Sequence, residues 1–204
     1  MKKIIVMTIA LFAGIDMASA QFQVNPQFGL TYQRMTDPQI QGLDHKATVG
    51  WQFGADLRFG DRIYFQPGAF YGRNATMVKH TYSDTLSIQD DIVRTTLKLR
   101  PMIGYRIIDT YEFDLRFATG PSYDVLLSAD NRYDRITFDR ADMRNGTLNW
   151  DVALGFDMGY FTLEPSASFG LSRVFRENTT MQDLSTRYMT YALTIGINIG
   201  NNAD

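Results

Sequence analysis

The sequence predicts an all-β protein, an eight-stranded antiparallel up-and-down transmembrane β-barrel. Three observations carry that expectation: apolar and polar residues alternate through eight segments, the connections between them are alternately long and short, and the strand glycines keep to one side of the alternation. In a β-strand successive side chains point to opposite faces. The stretch Tyr111-Glu112-Phe113-Asp114-Leu115-Arg116-Phe117 therefore has one aromatic face and one face with three charges. A sheet in water turns its greasy face inward, whereas a barrel in a membrane does the reverse.

The chain opens with Lys2 and Lys3, an apolar run from Ile4 to Ile15, and the small residues Ala18-Ser19-Ala20. This pattern predicts a secretory signal peptide over residues 1–20, cleaved after Ala20. The apolar run is too short to cross about 30 Å of hydrocarbon as a helix, and Asp16 interrupts it. Residues 21–204 then make one domain. Without Lys2, Lys3 and Asp16 it carries 18 basic and 21 acidic residues, which gives no reason to expect a nucleic-acid partner. With no cysteine there is no disulfide framework and no cysteine-based metal site. No later segment has 18 consecutive apolar residues. The mean hydropathy is −0.21, but such an average does not register a membrane barrel, where only every second residue meets lipid.

The eight strands follow from the alternation. The first covers 22–34, with Val24, Phe28, Leu30 and Tyr32 on its apolar face. The second covers 47–59, with Val49, Trp51, Phe53, Ala55, Leu57 and Phe59, and Gly60-Asp61 makes a tight turn into the third at 62–74. The third shows Ile63, Phe65, Ala69 and Tyr71; the fourth, 92–107, shows Val93, Leu97, Leu99, Ile103, Tyr105 and Ile107. Asp109-Thr110 turns into the fifth, 111–125. The sixth, 148–158, carries Trp150, Val152, Leu154 and Phe156, and the seventh, 161–172, carries Leu163, Ala167, Phe169 and Leu171. The eighth, 187–200, carries Tyr191, Leu193, Ile195, Ile197 and Ile199. Residues 35–46, 75–91, 126–147 and 173–186 are long connections, and the three between them are short. Short periplasmic turns, long outer loops and an even strand number are features of an outer-membrane barrel.

The glycines decide which face is inside. Gly29, Gly50, Gly54, Gly68, Gly72, Gly104, Gly120, Gly155, Gly159, Gly170, Gly196 and Gly200 lie in or at the ends of these strands, all on the polar parity. Glycine weakens a strand and calls for a reason. The narrow interior of an eight-stranded barrel supplies one, because side chains only just fit there. The same parity holds Arg58, Arg94, Lys98, Arg100, Arg106 and Arg116 against Asp56, Glu112, Asp114, Asp124, Asp151, Asp157 and Glu164. This near balance predicts a salt-bridged lumen, since buried charges are tolerated when paired. Lys98, Arg100 and Arg106 are expected to face Glu112, Asp114 and Asp124 across the hairpin of strands four and five. Tyr32, Trp51, Tyr71, Tyr123, Trp150 and Tyr191 should form one aromatic belt, and Phe59, Tyr105, Phe113 and Phe161 the other. Pro26, Pro67, Pro101, Pro121 and Pro165 fall inside strands, where each removes a ladder donor; bulges would absorb them.

Chemical motifs are sparse. His45 and His80 fall in predicted loops, and HTYSD (80–84) groups His80, Ser83 and Asp84. That trio would serve an outer-leaflet lipid-modifying enzyme, but ordinary loop polarity explains it as well. No HExxH, P-loop or EF-hand pattern occurs, and no cofactor or metal is expected. The connection 128–147 alternates around Arg132–Phe138, and a protruding strand edge there could pair with a protein partner. The segments LKLRPMIGYRI (97–107), FATGPSYDVLL (117–127), WDVALGFDMGY (150–160) and YALTIGINIG (191–200) resemble the small PorT-like outer-membrane barrels of Bacteroidetes. The resemblance implies an eight-stranded barrel in the outer membrane of a Gram-negative bacterium, facing its bilayer and lipopolysaccharide, and strand prolines as a family habit. It also allows a role as an accessory of a secretion system. The leading expectation is a non-enzymatic barrel acting structurally or through its outer loops. A soluble lipocalin-like barrel is the alternative outside membranes and would need an apolar cavity.

Overall fold

Alternating residues that can bury only one face pair into a single closed sheet. The computed structural model describes residues 22–36, 43–83, 86–110, 112–131, 143–174 and 187–200. Its strands are β1 (Phe22–Thr36), β2 (Leu43–Gly60), β3 (Ile63–Ser83), β4 (Leu86–Asp109), β5 (Asp114–Asn131), β6 (Gly146–Met158), β7 (Phe161–Gly170), β8 (Arg187–Ile197) and β9 (Ile199–Gly200). Each strand from β1 to β8 pairs antiparallel with its sequence neighbour, and β8 returns to β1. The two residues of β9 continue β8 past Asn198, opposite Val24 and Gln23. The architecture is a closed eight-stranded up-and-down barrel.

Register fixes its geometry. The pairs Phe22↔Phe59, Phe59↔Phe65, Phe65↔Ile103, Ile103↔Thr119, Thr119↔Val152, Val152↔Ala167, Ala167↔Tyr191 and Tyr191↔Tyr32 lead once around the wall. The path starts at Phe22 and returns to β1 ten residues further on, so the strands are staggered by ten residues over eight strands. Such a stagger tilts them by about 35–45° from the barrel axis.

Several boundaries differ from the alternation pattern, and β5 runs on to Asn131, into the expected connection 126–147. Residues 75–83 and 86–91 are strand rather than connection, with β3 and β4 paired from Asn74↔Arg94 out to Thr81↔Ser87 and Ser83↔Leu86. Thr76, Val78, Thr81 and Ile88 suit a strand, and pairing with the neighbour continues after strict alternation has ended. β2 likewise begins at Leu43, so the backbones of His45 and His80 lie in strands, paired with Val78 and Leu43. β5 begins at Asp114, because Thr110 closes the preceding turn. The Thr110 amide donates to the Phe113 carbonyl (3.2 Å) and to the Asp114 carboxylate (3.2 Å), and its hydroxyl donates to Phe113 O (2.6 Å). The turns after β2 and β6 use Gly60 (φ 122°) and Gly159 (φ 57°), where a side chain is disfavoured; Gly159 is thus a turn residue.

The five prolines do not sit at bulges. Each lies beside a gap in one ladder across which the register is unchanged. Pro26 lies opposite Ile197, with Asn25 opposite Asn198, in the gap between the β8 and β9 pairings. Pro67 falls between Asp56↔Gly68 and Phe59↔Phe65, and Pro165 between Ala153↔Ser166 and Phe156↔Leu163. Pro101 and Pro121 share the gap between Leu99↔Tyr123 and Ile103↔Thr119. Each still pairs on its other side, with Ala55, Pro101, Pro67, Trp150 and Leu193 for Pro26, Pro67, Pro101, Pro121 and Pro165. A closed barrel accommodates proline by breaking one ladder locally, and Pro101 and Pro121 put two missing donors into one break.

The apolar parity points out. Phe28, Leu30, Phe53, Phe65, Ile103, Leu193 and Ile195 are all exposed, Ile103 by 63% and Ile195 by 62%. The interior is mainly polar, and among the described residues Met102, Ala118 and Ala153 form a small hydrophobic cluster within it.

Candidate functional site

The lumen is built from the inward parity of every strand. At its centre six charged side chains from five strands alternate in sign. Asp56 (β2) accepts from Arg100 Nε at 3.1 Å, and Arg100 (β4) also reaches Glu164 (β7) at 2.8 Å. Glu164 accepts from Arg116 (β5) at 3.0 Å, Arg116 donates to Asp157 (β6) at 2.7 Å, and Asp157 accepts from Arg58 (β2) at 3.0 Å. All six are buried. Three guanidiniums meet three carboxylates in an unbroken chain, the arrangement in which buried charge is tolerated. Neutral groups fill the remaining positions. Gln66 and Gln27 donate to Asp56 at 2.8 and 2.9 Å, and Asn25 donates to Thr162 at 2.9 Å.

A second cluster lies towards the long-connection end. Lys98 stands 3.4 Å from Asp151 and 3.8 Å from Asp124, and donates to Ser168 at 2.9 Å. Ser122 and Ser168 each donate to Asp151. Above it Arg94 is buried with its guanidinium 4.2 Å from the ring centre of Tyr188. Glycines make the room. A Cβ at Gly155 would lie 2.2 Å from the Arg116 Cζ, and one at Gly104 would lie 2.1 Å from the Tyr64 ring.

Several expected partners change. Lys98 does reach Asp124 across the hairpin, but Arg100 crosses the lumen to Asp56 and Glu164. Arg106 is buried near the turn end, with Asp61 at 3.5 Å and Asp109 at 3.8 Å. Glu112 is exposed in the connection that Thr110 closes, outside the lumen. Asp114 is half-buried and takes the Thr110 amide. The early end of the hairpin is responsible: parity inside a turn no longer predicts direction. The sequence reading also left out Gln23, Asn25, Gln27, Gln66, Thr162 and Asn198, which share the inward parity but carry no charge to draw notice.

On the outer surface the stagger sets heights. Moving from β1 towards β2 and onward, each strand contributes a residue slightly higher than its paired neighbour, by ten residues in eight steps. On that scale Tyr32, Trp51, Tyr71, Tyr123, Trp150 and Tyr191 stand at one level, joined by Phe169. Trp51, Phe53 and Tyr71 form a cluster with ring centres 5.3–5.9 Å apart. Phe59, Tyr105 and Phe161 stand at the lower level, where Phe22 packs on Phe59 at 5.2 Å. Phe113 is half-buried in its turn, 6.5 Å from Phe156. Trp51 lies eight residues inside β2 and Tyr71 twelve inside β3. The upper level is therefore partway along these strands rather than at their ends.

Among the described residues no group of three histidines or acidic side chains could hold a metal. Of the trio considered for catalysis, Asp84 lies outside the described residues, as do residues 1–20 and 132–142. The interior holds a cavity of about 20 Å³ beside Gln33, Lys98 and Asp124, the size of one water. Among the described residues the lumen is lined by polar and charged side chains, whereas a lipocalin-like barrel requires an apolar cavity.

Residues 16–176 match the model of the outer membrane protein beta-barrel domain. The chain belongs to that family. Among solved structures it is similar to the outer membrane protein OprG from Pseudomonas aeruginosa, at 13% identity and a TM-score of 0.56, over 89% of this chain and 97% of that one. It is also similar to Neisserial surface protein A, at 10% identity and a TM-score of 0.51, over 90% of this chain and 99% of that one. At such identities the likeness concerns the fold. No curated protein matches the chain in sequence. Family and fold together place this barrel in the outer membrane with its apolar face in the lipid bilayer.

Proposed function

We propose that this outer-membrane barrel is a non-enzymatic, closed element of the cell envelope that acts through the surface it presents at its long-connection end. The observation that carries the reading is the alternating chain Asp56–Arg100–Glu164–Arg116–Asp157–Arg58 across the lumen. Among the described residues this chain crosses the lumen and ties five strands together, which supports a closed rather than a conducting barrel. The upper and lower aromatic levels serve as the two interfacial belts. The chain is exported by the signal peptide at residues 1–20, and the long-connection end faces outward. The segment 128–147 provides the surface for a protein partner.

Three measurements test this. Refolded in detergent, the unboiled protein should migrate faster on a gel than the boiled one. In vesicles it should pass no small sugars in an osmotic swelling assay. A short epitope inserted near residue 137 should be reached by antibody on intact cells. Sugar flux would overturn the closed lumen, and epitope access only after permeabilisation would reverse the orientation.

A further inference from the structure

Among the described residues, exposed charges at the turn end are Asp61, Arg62, Asp109 and Glu112. At the other end they are Arg34, Arg73, Arg173 and Arg187, against the single carboxylate Asp130. Two of these four arginines are cross-strand neighbours, and a third follows the adjoining strand. Arg34 in β1 pairs in register with Met189 in β8, and Arg187 lies two residues from Met189 and opposite Thr36. Arg34 and Arg187 are thus diagonal cross-strand neighbours on the outward face, about 7–8 Å apart at Cα and within reach of long side chains. Arg173 follows β7, the other neighbour of β8, and is exposed two residues after the outward Leu171.

Their height is informative. Tyr32 and Tyr191 face each other in register directly beneath Arg34, and Phe169 and Leu171 continue that apolar rim. Arg34 donates to the Met189 sulfur at 3.3 Å, and the Tyr191 hydroxyl donates to the same atom at 3.5 Å. Guanidiniums therefore sit immediately above a ring of aromatic and aliphatic side chains. Asp130 is on β5, three strands from β8. Like charges at neighbouring cross-strand positions destabilise a sheet unless an anion lies between them. Guanidiniums bind phosphate through paired, charge-assisted hydrogen bonds.

We propose that Arg34, Arg173 and Arg187 form a site for a phosphorylated lipid of the outer leaflet, the diphosphorylated headgroup of lipid A. Its phosphates lie against the three guanidiniums, and its acyl chains run down over Tyr32, Tyr191, Phe169 and Leu171. The proposal rests on the outward orientation given above and names the lipid that the belt at this end meets. Phosphate supplies the chemistry of recognition and the apolar rim supplies depth, so a lipid satisfies both where a soluble anion satisfies one.

The test uses the whole chain refolded in zwitterionic micelles and titrated with lipid A carrying both phosphates, with binding followed by native mass spectrometry. The R34Q/R173Q/R187Q variant should bind at least about tenfold more weakly, the scale of losing charge-assisted contacts. R62Q, an exposed arginine at the turn end, should bind like the wild type. Lipid A stripped of its phosphates should bind the wild type and the triple variant equally weakly. Equal affinity of the two proteins for the diphosphorylated lipid would overturn the proposal. So would indifference to the phosphates, or binding of an acidic polypeptide where lipid A fails. All three residues are exposed, and the heat-dependent gel shift checks that each variant folds. Loss of that shift in the wild type would refute the membrane reading itself, whereas a retained shift with failed lipid binding refutes this site alone.

Discussion

Removing the Asp157 carboxylate should be among the most damaging single changes in the lumen. Asp157 accepts from Arg58 at 3.0 Å, from Arg116 at 2.7 and 3.2 Å, and from Thr162. The two arginines fare differently without it. Arg116 keeps Glu164 at 3.0 Å. Arg58 is 2% exposed, its Nε and Nη2 have no hydrogen-bond partner, and Asp157 is its one salt bridge among the described residues. In Asp157→Ala it would retain only the side-chain oxygens of Asn198 at 3.0 Å and Gln23 at 3.5 Å. Stranding a buried charge in this way costs about 3–5 kcal/mol. Asp157→Asn keeps one of the two oxygen acceptors and should cost less, about 1.5–3 kcal/mol, the value of hydrogen bonds to a charged group. Asp114→Ala supplies the control: it loses the Thr110 amide contact at a half-buried site and should cost about 0.5–1.5 kcal/mol. Urea unfolding in lipid vesicles, read from Trp51 and Trp150 fluorescence, measures all three. An Asp157→Ala loss below about 1 kcal/mol with an unchanged slope would show that water reaches Arg58, and the reasoning about a sealed lumen would fail.

Depth along the outer face should decide the cost of a charge in lipid. Ile195→Arg, midway between the aromatic levels, should cost about 2–4 kcal/mol in vesicle unfolding, whereas Leu97→Arg, beside Tyr71 and near the upper level, should cost about 0–1. Equal costs would contradict the heights derived from register. Gly155→Ala places a methyl against the Arg116 guanidinium and should destabilise by about 1–3 kcal/mol by the same assay, while Gly159→Ala, with open space around it, should show only the strain of its turn conformation. Replacing Asp56 and Arg100 together by apolar residues of similar size should cost less than replacing Arg100 alone, which strands the Asp56 carboxylate, as a double-mutant cycle would show.

The sequence made some of this legible and concealed the rest for physical reasons. Period-two alternation, as in Trp150-Asp151-Val152-Ala153-Leu154, reports a strand and its faces directly, and the glycine parity reports a crowded interior. Partner choice was not legible. Arg100 was expected to look sideways to β5, but its side chain is long enough to cross a narrow lumen to Glu164 on β7. Only the stagger of the strands, a property of the closed barrel, brings those two to one height. Pro101 and Pro121 resisted a sequence reading for the same reason, since only the register shows that both fall at a single break. The hairpin of β3 and β4 was hidden because pairing, not alternation, sustains it beyond Asn74.

The chain of lumen charges bears on how this barrel selects its register. Lipid contacts discriminate weakly between alternative pairings, because one apolar side chain in hydrocarbon is much like another. A slip of one residue, however, moves every side chain of a strand to the opposite face. For β5 it would turn Arg116 into the bilayer, and for β6 Asp157, each taking an ion-pair contact from partners on two other strands and the second also stranding Arg58 within the lumen. A lipid-facing arginine at mid-depth costs about 2–4 kcal/mol, and the stranded partners add to it. Six charges on five strands therefore penalise slips in β2, β4, β5, β6 and β7 at once. Buried ion pairs add little net stability over apolar packing, so their value here lies in specificity. Replacing the six by apolar residues of matched volume should leave a barrel that still inserts but samples alternative registers. Broadened NMR amide signals along β5 and β6, against sharp ones in the wild type, would show this, and sharp signals in both would refute it.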